Sequence, residues 1–288
     1  MSSRFATRVL VLGMAASASG CRSKEAVGNA PALGSANAAP APDPKVISDA
    51  AVGQALNPAG EKPYSGPVGH VSGVVHATGD APPPDPAILA KVPRGKCDDA
   101  RAFYGKRFRE GPHRELGDVL VAVTGYTGYV PPREPFKTVV VRGCSFESRT
   151  IVLTFGQTLH VLNKGSETMI PELRGAKRGV FMVAIPGGDP VTLFPDRVGQ
   201  FELLDRSAEY ARADVFVLKY PTTAVTGIDG KFSISAIPAG EVTVSALLPA
   251  TGQTAQQRVT IVAGETAKVD LVLNWTAGPN AAPSASAK

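Results

Sequence analysis

The sequence predicts an all-β protein: a Greek-key β-sandwich followed by a smaller second sandwich, behind a disordered N-terminal tether. Three observations predict it. From Val68 onward the chain is a series of short runs rich in Val, Ile, Thr and Phe, the residue types that fit a pleated, half-buried surface. Gly and Pro punctuate those runs at short intervals, which is how sandwich strands are separated. No long stretch carries apolar residues at helical spacing, so no helix dominates the core.

The 288-residue chain has ends of a different character. Residues 1–20 combine a basic start (Arg4, Arg8), an apolar run from Val9 to Ala16 and the small residues Ala18-Ser19-Gly20 before Cys21. This is the pattern of a secretory signal. Because it ends in a cysteine it resembles a bacterial lipobox, although Ala18 stands where that motif most often has Leu. The resemblance implies lipidation of Cys21, export, and a membrane anchor on the periplasmic or cell-surface face of the envelope. An ordinary signal peptide cleaved near Ala18 is the alternative. The apolar run is too short for a spanning helix, which needs about 20 residues. Residues 21–66 are rich in Ala, Pro, Gly, Ser and Asn, and such a segment buries too little apolar surface to offset its ordering entropy. It is read as a disordered linker, and 276–288 as a similar tail.

In chain order, His70–His76 alternates as a strand and runs into the turn GDAPPPDP. Ala87–Lys91 and Asp98–Tyr104 can each form a short helix, the second led by acidic residues that suit a helix start. Asp118–Thr124 and Thr138–Arg142 are β-branched strands. Thr150–Phe155 and Thr158–Asn163 follow, joined by Gly156-Gln157, which reads as a hairpin turn. Gly179–Ala184, Asp189–Phe194, Gln200–Leu204 and Ala213–Leu218 complete a first unit over 67–220.

Three cysteines are present. With Cys21 lipidated, Cys97 and Cys144 remain as an even pair in an oxidising compartment. A disulfide between them would close a loop of about 48 residues and stabilise the fold by roughly 4 kcal/mol in the chain-entropy model. Two metal-binding thiolates are the alternative, with no CxxC or His-rich cluster around either. The formal net charge is +5, about +3 once Arg4 and Arg8 leave with the signal. The Lys and Arg residues cluster in Arg94–Arg114 among acidic neighbours, without interleaved aromatics. That is read as a solvated loop and gives no indication of nucleic-acid binding.

A second unit spans 221–275, with strands at Thr223–Thr226, Lys231–Ile234, Glu241–Leu247, Gln257–Val262 and Ala267–Leu273. Its AVTGIDGKFSISAIPAG run and VDLVL ending resemble the carboxypeptidase regulatory-like domain, a transthyretin-like sandwich. That resemblance implies a packing or adhesion module without chemistry of its own. A related starch-binding-like fold binds glycans through exposed aromatics, and Trp275 just beyond the last strand is the residue such a carbohydrate-binding reading would use. Leu248-Pro249-Ala250-Thr251-Gly252 spells a sortase signal but lies in the interior of the chain, so it is read as a hairpin loop.

GCSFESRTIVLTFGQTLHVLNKGSETM (143–169) and the later ADVFVLKY resemble exported cupredoxin-like proteins of methylamine-utilisation type, in which a copper sandwich runs into a regulatory-like domain. Such a copper site takes two imidazoles and a thiolate in a plane, with a weak axial thioether. Transferred to this chain, the resemblance puts the Cys position on Asp205, the second His on Ala208, the axial Met on Ala211 and the first His on Met169. Glu202–Arg212 contains no Cys, His or Met, so the site is read as degenerate and metal-free. A weak alternative is a non-standard copper site using Met169 and His160. Of the four histidines, His160 lies inside an apolar strand, and His70 and His76 share one face of a strand about 20 Å apart, too far to share a metal. Asp118, Asp205 and Glu209 read as turn or surface carboxylates. No nucleophile, phosphate-binding or zinc-protease motif is present. The expectation is a non-enzymatic, lipid-anchored envelope protein with a structural or partner-binding role, no cofactor, and an envelope protein as its possible partner.

Overall fold

The computed structural model describes residues 47–177 and 182–277. Cys21, the signal segment, most of the tail and the first half of the strand expected at 179–184 lie outside the described residues. In chain order the elements are α1 (Asp49–Leu56), β1 (Val68–Gly79), α2 (Pro86–Lys91), α3 (Asp98–Tyr104), β2 (Leu120–Thr124), β3 (Phe136–Arg142), β4 (Ser145–Phe146) and β5 (Thr150–Thr154). They continue with β6 (Thr158–Asn163), β7 (Pro171–Arg174), β8 (Val191–Leu193), β9 (Gly199–Asp205), β10 (Arg212–Leu218) and β11 (Thr223–Val225). The last are β12 (Lys231–Pro238), β13 (Gly240–Leu248), β14 (Gln253–Ile261), β15 (Thr266–Lys268) and β16 (Leu271–Trp275). The fold is all-β with short helical insertions. No helix among the described residues is long and apolar enough to cross a membrane.

The first sandwich stacks the sheet β4-β3-β6-β8 on the sheet β5-β10-β9-β7. Alternation along each strand sends one set of side chains inward: Val139 and Val141, Leu159 and Val161, Leu203, Val215 and Val217 are all buried. Two of its pairings are parallel, β3 with β6 and β5 with β10. Parallel neighbours need a crossover between sheets, and these crossovers give the sandwich its cupredoxin-like, Greek-key character. They also correct the hairpin expected at Gly156-Gln157. β5 and β6 belong to opposite sheets, so this turn arches across the sandwich edge. Gly156 has φ +95°, and a Cβ there would lie 2.5 Å from Val52 Cγ1; the close approach of α1 requires glycine.

That contact corrects the tether as well. Residues 47–66 of the expected disordered linker are folded: Ser48 caps α1 by accepting the Ala51 N–H, and Ile47, Val52, Ala55 and Leu56 pack on the first core. Composition alone, in an Ala-rich stretch, conceals a helix whose stability comes from this tertiary face.

The second sandwich stacks β12-β1-β15, with β16 also on β1, against β11-β2-β13-β14. Its core holds Val71, Val75, Phe232, Ile234, Val244 and Leu273. The sequence division at 220/221 does not follow this packing. β1 lies between β12 and β15/β16, and β2 lies between β11 and β13. Without those two N-terminal strands, neither sheet of the second sandwich has its middle. The chain therefore starts the second sandwich, builds the first, and returns to finish the second. The interior sortase-like segment is the β13–β14 hairpin loop, closed by Gly252 N–H on the Leu248 carbonyl at 2.8 Å.

Trp275 lies within β16 and is buried, stacked edge-to-face on Phe108 at 5.4 Å. It is a core residue, and its reading as an exposed glycan platform is corrected: the ring that would meet a sugar is spent on Phe108.

The segment between β1 and β2 holds α2 and α3. Asp85 caps α2 through the Ile88 N–H at 3.1 Å, with Pro86 at its first position. Arg101 on α3 donates to the carbonyls of Leu89 and Val92 at 2.8 and 2.9 Å, fixing the two helices to each other. Cys97 and Cys144 form a disulfide with Cα atoms 5.5 Å apart, which ties the start of α3 to the β3–β4 turn. The basic stretch is thus not wholly a solvated loop, since Arg101 and Arg109 are folded into it.

Candidate functional site

The end of the first sandwich where the copper resemblance leads is built by the starts of β7 and β10 and the end of β9. Pro171 pairs with Asp205 across β7 and β9, so Met169 and the Asp205–Ala211 loop meet at one corner. Asn163, at the end of β6, organises the approach. It is buried and donates through Nδ2 to the carbonyls of Glu167 and Ala184 at 2.7 and 2.8 Å, while Oδ1 accepts the Gly165 N–H at 2.9 Å. Met169 exchanges backbone hydrogen bonds with Ala184 and is buried in the core.

Asp205 occupies the position that the resemblance gives to the thiolate. It is only 2% exposed, which corrects its reading as a surface carboxylate. Its Oδ1 accepts from the Ile170 N–H at 2.9 Å, the Ser207 N–H at 2.9 Å and the Ser207 hydroxyl at 2.7 Å. A buried carboxylate needs such donors, and the neighbouring loop supplies them. Ala208 donates its N–H to the Asp205 carbonyl at 3.1 Å, and the Ala211 carbonyl accepts from the Asp205 N–H at 3.0 Å, so the loop closes on itself.

Tyr210, in the same loop, is buried and donates to Cys97 Sγ at 3.5 Å; burial, then the charge of Asp205, pushes its phenol up. The α2–α3 segment lies against this end, with exposed ion pairs Lys91–Glu209 at 3.5 Å and Lys96–Glu167 at 3.0 Å. Val92, Cys97 and Ala100 join Met169, Tyr210 and Ala211 in one buried cluster.

These residues do not fit a copper ion. The corner offers one thioether, two methyl side chains and a carboxylate whose Oδ1 already takes three donors, against the two imidazoles and thiolate that the chemistry asks for. His160 does not join Met169. It is on the outward face of β6, stacked on Phe136 with ring centres 4.3 Å apart and within 3.2 Å of the Thr158 hydroxyl, while Met169 is in the core. His70 and His76 both stand half-buried on one face of β1. Among the described residues no group of three or more His, Cys, Asp and Glu side chains is placed to hold a metal. Ser145 donates to the Arg142 carbonyl.

No family model matches the chain. No curated protein matches it either. Among solved structures, the reduced state of an amicyanin point mutant aligns with 28% of this chain and 79% of its own, at 13% identity and a TM-score of 0.26. Amicyanin from Paracoccus versutus aligns with 30% of this chain and 84% of its own, at 13% identity and a TM-score of 0.24.

A second polar centre was not visible in the sequence. Asp118, read as a turn or surface carboxylate, is 4% exposed and holds φ +64° just before β2. Arg109 donates to it through Nε and Nη2, both at 2.6 Å, the Arg149 N–H at 2.9 Å and the Ser148 hydroxyl at 3.2 Å. The Asp118 carbonyl in turn accepts from the Thr150 hydroxyl at 2.7 Å.

Arg149 donates to the carbonyls of Lys106, Arg107 and Phe103, and the Arg109 guanidinium lies 4.1 Å over the Phe103 ring. Burial pulls the Arg149 guanidinium down, opposed by Asp118. The network joins the approach to β2, in the second sandwich, to the start of β5, in the first. A cleft of about 280 Å³ opens beside it, lined by Asp85, Lys106, Arg149, Asp214 and Leu248. Its charged groups are tied mostly to one another and to backbone, an arrangement that fixes the loops leading into β2 and β5.

Proposed function

We propose that this chain is a non-catalytic, lipid-anchored protein of the bacterial cell envelope, in which a cupredoxin-type scaffold has lost its copper ligands and serves as a structural or protein-binding module. The observation that supports it is the Asp205 corner. A carboxylate latched to Ile170 and Ser207 stands in place of a thiolate, and the helical α2–α3 segment packs against it. A copper protein needs an imidazole and thiolate set there; a folded scaffold needs a closed end.

The rest of the reading is consistent with export. The Cys97–Cys144 disulfide suits an oxidising compartment, and the resemblance of residues 18–21 to a lipobox supplies an anchor at Cys21 on the periplasmic or cell-surface face. The second sandwich is read as a regulatory-like packing module, and an envelope protein is the partner class. No nucleic acid, glycan or cofactor enters this reading.

Envelope fractionation of cells expressing the full chain and its Cys21→Ala variant tests the anchor. The intact chain is expected in the membrane fraction through high-salt and carbonate washes, and the variant in the soluble periplasmic fraction or retained as uncleaved precursor. A processed Cys21→Ala protein that stays in the washed membranes would overturn the lipid anchor.

A further inference from the structure

The strand edges of this protein are guarded unequally. A free edge presents unpaired N–H and C=O groups, and proteins blunt it with short strands, proline, charge or a bulge. β4, β8, β11 and β15 have two or three residues, β7 starts at Pro171, and β5 and β16 have five residues each. β12 is longer, but it starts at Lys231, carries Ala236 at φ +55° and ends at Pro238.

β14 is neither short nor bulged and has no proline, and a single charge is its one guard. It is nine residues long, pairs with β13 through nine consecutive positions without a bulge, and forms the end of its sheet. QTAQQRVTI contains no Pro and no Gly, and Arg258 is its one charge. Its central residues Gln256, Gln257 and Arg258 are exposed.

We infer that the free edge of β14 pairs antiparallel with β14 of a second copy of this chain, about a two-fold axis through Gln257. The strand is complementary to itself about that residue. Reversing TAQQRVT about Gln257 sets Thr254 opposite Thr260 of the second copy, Ala255 opposite Val259, and Gln256 opposite Arg258. Threonine meets threonine and small apolar meets β-branched apolar, pairs that stabilise a ladder. The single charge faces a glutamine amide, and no like charges lie directly opposite. Ala255 and Val259 already pack at the margin of the second core, so the pairing extends that apolar face across the axis. A one-residue shift of the axis sets the Gln256 and Arg258 side chains against their own counterparts by turns and loses the apolar pairs. The contact is isologous, as a closed dimer requires.

Cysteine cross-linking and sedimentation of the purified full chain test this. Directly opposed side chains in an antiparallel pair have Cβ atoms about 4.5–5.5 Å apart, and diagonal ones stand farther off. Gln257→Cys is therefore expected to form an intermolecular disulfide on mild oxidation, above the background of the parent chain, and Arg258→Cys is expected to form several-fold less. The parent chain should sediment as a dimer in the micromolar range, and Gln257→Lys, which sets two ammonium groups on the axis, should weaken the dimer at least tenfold. Both positions are exposed, and a retained cooperative thermal transition shows that each variant is folded. A parent chain that is monomeric at about 100 µM overturns the inference. So does equal cross-linking of Gln257→Cys and Arg258→Cys, or a dimer indifferent to Gln257→Lys.

Discussion

Replacing Asp118 by alanine removes the acceptor that Arg109, Ser148 and the Arg149 N–H share. The Asp118 side chain is 5% exposed and that of Arg109 is 17% exposed, so what remains is a largely buried guanidinium with no counter-ion. Breaking a buried pair by deleting one partner costs about 3–5 kcal/mol, most of it the cost of the stranded charge. A chain of this size shifts its melting temperature by about 2–4 °C per kcal/mol, so Asp118→Ala should melt roughly 6–20 °C lower.

Position matters as much as size. Asp118 precedes β2 in the second sandwich, and Ser148, Arg149 and Thr150 lead into β5 in the first, so the loss should also uncouple the two sandwiches. Differential scanning calorimetry of the parent and variant reads both effects, with one transition splitting into two. Asp118→Asn, which tolerates φ +64°, separates charge from backbone and should retain part of the stability. Arg109→Met combined with Asp118→Asn should cost less than the sum of the two single changes, by up to about 3 kcal/mol. A loss below about 1 kcal/mol for Asp118→Ala, with additive single and double variants, would refute the buried-pair argument.

Three further outcomes follow from the packing. Cys97→Ser with Cys144→Ser should lower stability to urea by roughly 4 kcal/mol on the chain-entropy estimate; an unchanged urea midpoint would exclude the staple as a stabilising element. Trp275→Ala should cost about 3–5 kcal/mol as a large-to-small core change, and the one tryptophan should emit at the short wavelength of a buried indole, where long-wavelength emission would contradict its packing on Phe108. Burial raises the Asp214 carboxyl, with the Gln200 amide opposing and Glu202 adding to it. The folded state therefore holds this proton more tightly than the unfolded chain, and Asp214 detracts from stability above its unfolded pKa. Asp214→Asn should melt higher than the parent at about pH 7 and equally at about pH 3; a variant less stable at neutral pH would refute the sign.

The strands were legible because their evidence is local. Val139/Val141 and Leu159/Val161 alternate with outward residues, and that period survives in the sheets. Pairing partners are not local. Gly156-Gln157 looks the same whether the next strand folds back beside β5 or crosses to the other sheet, and only the parallel partners β10 and β3 decide between them. β1 reads as a good strand, but nothing within it tells that β12, far later in the chain, is its neighbour.

The polar centres were hidden for a related reason. Asp118 and Asp205 are short acidic side chains beside turns, the usual setting of a solvated carboxylate. Their burial depends on Arg109, Ser148 and Ile170, brought in by the fold. Met169 and the 205–211 loop do meet at one end of the first sandwich, while the side-chain content of their latch appeared only in three dimensions. Trp275 was misplaced because an aromatic two residues beyond a strand and one at its end look alike in sequence.

Copper titration of the purified, disulfide-intact chain, read by native mass spectrometry with Cu(I) and Cu(II), tests the central claim most directly. The account predicts no stoichiometric, tightly held copper and spectra that Met169→Ala leaves unchanged. One copper per chain surviving gentle desolvation, and lost in Met169→Ala or His160→Ala, would contradict it.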